Sequence, residues 1–325
     1  MFSTRTYDRA SFDAALATSD HRFRFVESRL TPETAALAEG SEAVCAFVND
    51  ELGAPTLRQL AELGVRHLAL RSAGFNQVDL AAAESLGISV VRVPAYSPNA
   101  VAEHTIALVL AVNRHIPRAH DRVRDRNFSL EGLVGFDLKG KTVGVIGTGK
   151  IGALVARLMW HFRCRVLAAD PVVDPALVEL GVEYVALDDL WPQCDIISLN
   201  APLIDATHHL VNAATIARCK RGVMLVNTGR GPLVDTAAVV EALKTGQIGS
   251  LALDVYEEER ALFFEDRSGD ILDDDVFARL LTFPNVLITA HQAFLTTEAL
   301  AAIAEVTLAN LDDLAAGRAC ANRVG

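Results

Sequence analysis

No apolar run in this 325-residue chain approaches the roughly 20 residues needed to span a bilayer. The N-terminal stretch MFSTRTYDRA has no apolar core of the kind a secretory signal requires. A membrane is therefore not an expected partner. Cysteine is sparse and scattered: Cys45, Cys164, Cys194, Cys219 and Cys320 are odd in number and form no CxxC pair. That pattern argues against a disulfide or zinc framework and for reduced thiols in a cytoplasmic setting. Positive charge is in deficit, 30 Lys and Arg against 41 Asp and Glu, for a formal net charge of −11. Such a balance argues against nucleic acid as a partner, although a local cationic site for a small anion remains compatible with it. Internal repeats and low-complexity tracts are also missing. What remains, 51% hydrophobic and 22% charged residues, is the composition of a globular protein, too long for one ordinary core, so two domains are expected.

Against that background one stretch stands out. Lys141–Gly147 has a strand pattern and runs into Gly147-x-Gly149-x-x-Gly152, which opens a helix. The next strand, Arg165–Ala169, is closed by Asp170, 18 residues beyond Gly152. This is the layout of a dinucleotide-binding turn. The first glycine permits a tight turn, the second lets backbone approach a pyrophosphate, and the third lets helix and strand pack closely. Free N–H groups and the helix dipole at Gly149, Lys150 and Ile151 favour phosphate. Asp170 suits the two ribose hydroxyls and repels a 2′-phosphate. Pro171-Val172-Val173-Asp174 supplies no arginine to hold one, so NAD is favoured over NADP.

The chain around the turn reads as α/β throughout. Ala43–Phe47, His67–Leu70 and Ser89–Val93 read as strands; Pro55–Leu63 and Val78–Leu86 read as helices closed by Gly64 and Gly87. Alternation of this kind predicts a parallel sheet with helices on its faces. After Pro94–Pro98 a long helix is expected over roughly Asn99–Asn127, with Pro117 kinking it or ending its first half. His104, His115 and His120 lie along it without metal-ligand spacing and read as surface or packing histidines. A second α/β unit begins at Lys141, with further strands at Glu183–Ala186, Ile196–Leu199, Val223–Asn227, Leu251–Val255 and Val286–Thr289. The helix after the glycine turn presents Ile151, Leu154, Val155, Leu158 and Phe162 on one face. A final amphipathic helix, Thr297–Leu314, fits equally with the second unit or with a return to the first. Asp273–Asp275 reads as a solvated surface, and no metal is expected.

In an open parallel sheet ligands sit at the carboxyl ends of the strands. Three such ends carry reactive residues: Thr228-Gly229-Arg230-Gly231, Tyr256-Glu257-Glu258-Glu259 and Ala290-His291-Gln292. An arginine, a glutamate and a histidine beside a dinucleotide turn form a sensible set for reducing a 2-keto acid. Arg230 can clamp a carboxylate or polarise a carbonyl. His291 can exchange a proton with the oxygen as hydride moves, supported by a paired glutamate. Chemistry alone does not choose among the three glutamates.

With these motifs in view, the chain resembles the D-isomer-specific 2-hydroxyacid dehydrogenases, and within them the bacterial fermentative D-lactate dehydrogenases. The resemblance runs essentially end to end, through AVCAFVND, RSAGFNQVDL, VRVPAYSP, AEHT, GVIGTGKIG, VNTGRG, LDVYEEE, LFFED and HQAF. It implies two Rossmann-like or flavodoxin-like domains with parallel sheets. The NAD-binding domain, 98–293, is inserted into a substrate domain formed by 1–97 and 294–325, with the active site in a hinged cleft. The family pattern D-V-Y-E-x-E places the catalytic carboxylate on Glu259, with Arg230 binding substrate and His291 as general acid/base. Backbone N–H groups of Ala73 and Gly74 are implied as donors to the substrate carboxylate, and Tyr96 and Phe294 as pocket walls. Asn200, Ala201, Pro202, Thr228, Gly229 and Asp254 fall at cofactor-contact positions. Two residues depart from the pattern: Asn200 stands where histidine is common, and Gly229 where serine or alanine is usual, which is expected to loosen the Arg230 loop.

The implied activity is reversible NADH-dependent reduction of pyruvate to D-lactate, in a homodimer or homotetramer joined through the long helix. The alternatives are another 2-keto acid, such as phenylpyruvate or hydroxypyruvate, and, from a different class, an NADH-sensing corepressor.

Overall fold

The computed structural model describes residues 1–259 and 262–325. By its internal contacts the chain divides into two compact units, Met1–Ser97 with Leu295–Gly325, and Pro98–Phe294.

The first unit begins with α1 (Thr6–Leu16), an element the sequence reading did not anticipate, followed by β1 (Ala43–Ala46), α2 (Ala54–Glu62), β2 (His67–Leu70), α3 (Leu80–Ser85) and β3 (Ser89–Arg92). Local chemistry explains the boundaries. Pro55 opens α2 where a missing N–H costs nothing. Asp79 caps α3 by accepting the Ala82 N–H at 2.9 Å, so the helix starts after Val78, which instead forms a bridge to Leu52. Strands β1, β2 and β3 run parallel over a core that includes Leu30, Leu57, Leu68 and Val90. Arg71, at the end of β2, is 1% exposed. Its guanidinium donates to Asp8 Oδ1 at 2.5 Å and to the Phe2 carbonyl at 2.7 Å. α1 thus has an electrostatic reason to dock, since a guanidinium buried without such partners would be strongly disfavoured.

The second unit opens with α4 (Pro98–Asn113) and α5 (Ile116–Arg124). The single helix expected over Asn99–Asn127 is therefore broken, at His115, whose φ is +51°. Pro117 lies in the first turn of α5, where its lack of an N–H is harmless, whereas inside a continuous helix it would clash with the turn before it. The chain continues through β4 (Thr142–Ile146), α6 (Lys150–His161), β5 (Arg165–Ala169), α7 (Pro175–Leu180), β6 (Glu183–Tyr184), α8 (Leu187–Leu190), β7 (Ile196–Leu199) and α9 (Ala213–Arg218). It ends with β8 (Val223–Asn227), α10 (Thr236–Thr245), β9 (Ile248–Leu253), α11 (Asp275–Leu281) and β10 (Val286–Ile288). The strands form one parallel sheet in the order β10-β9-β8-β7-β4-β5-β6. Alternate residues feed two cores, Leu225 and Leu253 joining Trp191 and Leu280 on one face, Val145 and Val166 joining Val109 and Met159 on the other. Burial on both faces is why these strands are apolar throughout rather than alternating. Strand order reverses between β4 and β7, and that reversal marks where a doubly wound sheet binds its ligand.

On α6 the buried stripe is Gly152, Val155, Ala156 and Met159. Phe162, expected on the apolar face, is the residue that ends the helix and is 38% exposed. The chain then enters α12 (Thr297–Ala315), capped by Thr296, and buries Ile303, Thr307, Leu308 and Leu311 along one side. It finishes with β11 (Arg323–Val324), which pairs antiparallel with β3. Leu295–Gly325 thus belongs with Met1–Ser97. No described helix is long and apolar enough to cross a membrane.

Candidate active site

Gly147 follows β4 with φ +87°, a backbone that disfavours any side chain. A Cβ there would sit 2.6 Å from the Ala201 nitrogen, so the turn after β4 nests against the Asn200-Ala201-Pro202 turn after β7. A Cβ on Gly152 would overlap the Gly147 carbonyl, which is why helix and turn can close on each other. Gly149 differs from both. Nothing lies within 4 Å of its missing Cβ, and it caps α6 with no side-chain acceptor. The N–H groups at the Gly149–Ile151 end of the helix are therefore left to a ligand, with room for a pyrophosphate to reach them.

Asp170 closes β5 beside this turn. Its carboxylate accepts the Thr148 N–H at 2.7 Å and the Val172 N–H at 2.8 Å, one on each oxygen, which fixes its plane and leaves lone pairs for ribose hydroxyls. Asn200 donates its backbone N–H to Ile146 at 2.8 Å, while its side-chain Oδ1 is buried without a partner among the described residues. Glycine turn, unobstructed helix start and strand-end carboxylate together fit an NAD molecule.

The candidate catalytic residues follow β8, β9 and β10. Asn227 ends β8 fully buried; its Oδ1 accepts the Gly229 N–H at 3.0 Å and its Nδ2 donates to the Arg230 carbonyl at 2.8 Å. The loop carrying Arg230 is thus held by Asn227 at two points. Gly231 packs so closely on the Tyr256 carbonyl that a Cβ would overlap it. That contact joins the arginine loop to the glutamate loop.

The three glutamates have separate fates. Glu257 pairs with His209 at 2.5 Å and accepts the Thr236 N–H. Glu258 is exposed. Glu259 Oε1 lies 2.9 Å from His291 Nδ1, and its Oε2 accepts the Tyr256 N–H at 3.1 Å. Tyr256 in turn is anchored by its hydroxyl on Asp274, which also caps α11. Asp274, from the acidic run, is therefore a buttress, and no cluster suited to a metal occurs among the described residues. With Glu259 ionised, His291 Nδ1 carries the proton between them, and Nε2 is the nitrogen open to a substrate oxygen.

His291 adopts φ +53°, an uncommon backbone for a residue with a side chain. Asp254, 1% exposed at the end of β9, holds it there. Its carbonyl accepts the His291 N–H at 2.7 Å, and its carboxylate accepts the Gln292 and Ala293 N–H groups, each at 2.9 Å. Thr289 Oγ1 donates to Oδ1 at 2.5 Å, and His104 Nε2 stands 3.4 Å from the same oxygen. Burial disfavours the charge on Asp254, but hydrogen bonds from His104, Thr289, Ala293 and Gln292 hold its carboxyl below the usual range. His104, read from the sequence as a surface or packing histidine, belongs to this network instead. No periodicity could have marked it, because its partners Asp254 and Thr289 are 150 or more residues away in the chain and meet it only through sheet order.

Thr228 opens the arginine loop with its hydroxyl 2.8 Å from Thr105 Oγ1, and Phe294 is buried just after the histidine turn. Of the remaining site candidates, Ala73, Gly74 and Tyr96 lie in the first unit. The Ala73 carbonyl accepts from Arg92 at 2.6 Å and the Gly74 carbonyl from Ser72 Oγ at 2.8 Å. Tyr96 lies in the segment between β3 and α4.

Comparison with known proteins shows the family. The family model for the D-isomer specific 2-hydroxyacid dehydrogenase NAD binding domain matches residues 106–293. D-lactate dehydrogenase of Escherichia coli is 52% identical over 324 residues, covering 100% of this chain and 98% of the relative. The solved structure of the pyruvate reductase of Chlamydomonas reinhardtii superposes with a TM-score of 0.94 at 44% identity, covering 99% of this chain and 97% of that one. D-lactate dehydrogenase from Aquifex aeolicus, solved with NAD and lactic acid, gives 0.86 at 34% identity, covering 97% and 95%. The cofactor turn, the NAD-favouring aspartate and the full-length likeness lead to one assignment: this chain belongs to the D-isomer-specific 2-hydroxyacid dehydrogenases and is an NAD-dependent oxidoreductase.

Proposed function

We propose that this protein reduces pyruvate reversibly to D-lactate. The observation that carries the reading is the His291–Glu259 pair at 2.9 Å, on the same sheet edge as Arg230 and the glycine turn. NADH, when bound, supplies the hydride to the keto carbon. His291 Nε2 gives its proton to the keto oxygen, and Glu259 stabilises the imidazolium from which that proton leaves. Arg230 binds the substrate through its carboxylate or its ketone oxygen. The family likeness supports Ala73 and Gly74 as backbone donors to the substrate carboxylate, and Tyr96 and Phe294 as residues that meet its methyl group. Gly147, Gly149, Lys150, Ile151 and Gly152 cradle the pyrophosphate and Asp170 the adenosine ribose; Asn200, Ala201, Pro202, Thr228, Gly229 and Asp254 line the rest of the cofactor site. In this reading residues 98–293 form the NAD domain and 1–97 with 294–325 the substrate domain. The D product and the choice of pyruvate are supported by the names of relatives about half identical to this chain over their full length.

The protein is further proposed to work in the cytoplasm as a homodimer or homotetramer. Support for self-association comes from the α5 region, where Ile116, Val123, Phe128, Leu130 and Val134 are each more than half exposed. The test of function is NADH oxidation with a panel of keto acids, followed by chiral analysis of the lactate. Pyruvate is expected to give the highest kcat/KM and D-lactate alone. A clearly higher value for phenylpyruvate or hydroxypyruvate would move the assignment to that acid. NADH binding without turnover on any of them would return it to a sensing role.

A further inference from the structure

His104 and Thr105 are adjacent in α4, yet each reaches a different catalytic strand end. His104 Nε2 lies 3.1 Å from Thr289 Oγ1, beyond β10. Thr105 Oγ1 lies 2.8 Å from Thr228 Oγ1, at the start of the Arg230 loop, and both threonines are buried.

Proton counting fixes the direction of the first contact. An ionised Asp254 only accepts, so the single hydroxyl proton of Thr289 goes to Asp254 Oδ1, 2.5 Å away. The Thr289 oxygen is then an acceptor, and His104 Nε2 is the donor. His104 thus reaches Asp254 through Thr289 and also directly at 3.4 Å, and Asp254 accepts the N–H groups of Gln292 and Ala293. Those N–H groups directly follow the left-handed residue whose imidazole meets Glu259. On the other side, Thr105 donates to the Val101 carbonyl at 2.8 Å, so Thr228 donates to Thr105 and its orientation is set by α4.

We propose that His104 is a positioning residue for the reaction, fixing through Thr289 and Asp254 the backbone turn that aims the His291 imidazole, while Thr105 steadies the Arg230 strand end from the same helix. The proposal rests on the reading of His291 as the proton carrier. It explains why a carboxylate only 1% exposed is given so many donors. His104 needs no contact with substrate or cofactor to act in this way; it keeps Asp254 charged and in one orientation.

The experiment compares H104L, H104Q and T289V in the full-length protein, with H291Q as reference. Leucine removes the donor, whereas glutamine keeps an N–H near the Nε2 position. H104L is expected to lose about ten- to a hundredfold in kcat, the scale of a lost hydrogen bond to a charged group, with NADH affinity within threefold. H104Q is expected to recover most of that loss, T289V to lose no more than H104L because the direct contact of His104 with Asp254 remains, and the double variant H104L/T289V to fall short of the product of the single losses, because both residues act on the same carboxylate. Equal damage in H104L and H104Q, kcat within twofold of the parent in H104L and T289V, or losses that multiply in the double variant would overturn the proposal. A full-rate H291Q would instead remove the assignment of His291 on which it rests, whereas a crippled H291Q beside a full-rate H104L overturns only the positioning role.

Discussion

Replacing Gly231 with alanine adds one methyl group at the seam between the arginine loop and the glutamate loop. The methyl would overlap the Tyr256 carbonyl and come within 2.6 Å of the Glu257 nitrogen. Both are backbone atoms, so no side chain can swing aside. Ordinary carbon–nitrogen contact needs more than 3 Å, and the overlap with the carbonyl is deeper still, so one loop must move by about 1 Å. Overpacking of this kind costs about 1–3 kcal/mol, which lowers Tm by roughly 3–10 °C for a unit of this size. Function is expected to suffer more. Glu259 takes its orientation from the Tyr256 N–H, and Arg230 is the residue before the substitution. Misplacement by about 1 Å costs about a hundredfold in rate. Steady-state kinetics with pyruvate are therefore expected to show kcat/KM down by about that factor. NADH binding, followed by fluorescence, is expected to stay within threefold, because the glycine turn belongs to β4 and α6. Turnover within fivefold of the parent in a folded G231A protein would refute the idea that this seam aligns the two loops.

Asp170→Ala removes the acceptor of two backbone N–H groups and the acceptor proposed for the ribose; KM for NADH should rise about ten- to a hundredfold with kcat little changed, and a rise below twofold would contradict the proposed role of Asp170. Burial pushes the Cys194 thiol up to about 12 and those of Cys164 and Cys219 up to about 11. A thiol raised above its ordinary value of about 8.5 favours the folded state below that value, and the benefit is lost as pH climbs through the folded pKa. Thermal stability should accordingly fall between about pH 9 and 12, and at pH 8 these three thiols should react with a disulfide reagent far more slowly than in urea; equal rates would count against the burial described. Charges at Phe128 and Leu130, as in F128D/L130D, should shift the protein to monomers in light scattering at unchanged fold, and an unaltered mass would place the subunit interface elsewhere.

Much of this was legible in the sequence, and for physical reasons. Parallel strands buried on both faces stand out as apolar runs, and the glycine turn is visible because no other residue tolerates its backbone at Gly147 or its packing at Gly152. Strand ends marked Arg230 and His291 as candidates, and the structure places them after β8 and β10. Other features depend on neighbours far away in the chain. Which glutamate faces His291 is decided by packing, since Glu257 and Glu259 are two residues apart and each has a histidine partner. The Arg71–Asp8 pair joins a helix and a strand end with no local signal for either. His104 looks like a helix-surface histidine until β9 and β10 bring Asp254 and Thr289 to it. The helix break at His115 is the reverse case: Pro117 announced an interruption, and its place in the first turn of α5 puts the break ahead of it.

The central claim is that His291, paired with Glu259, hands the proton to the keto acid while NAD chemistry proceeds beside it. Its most direct test is single-turnover reduction of pyruvate by H291Q, preloaded with NADH. The account predicts NADH affinity within threefold of the parent and a hydride-transfer rate lower by at least a hundredfold, the scale of a lost general acid. A rate within tenfold of the parent would contradict it.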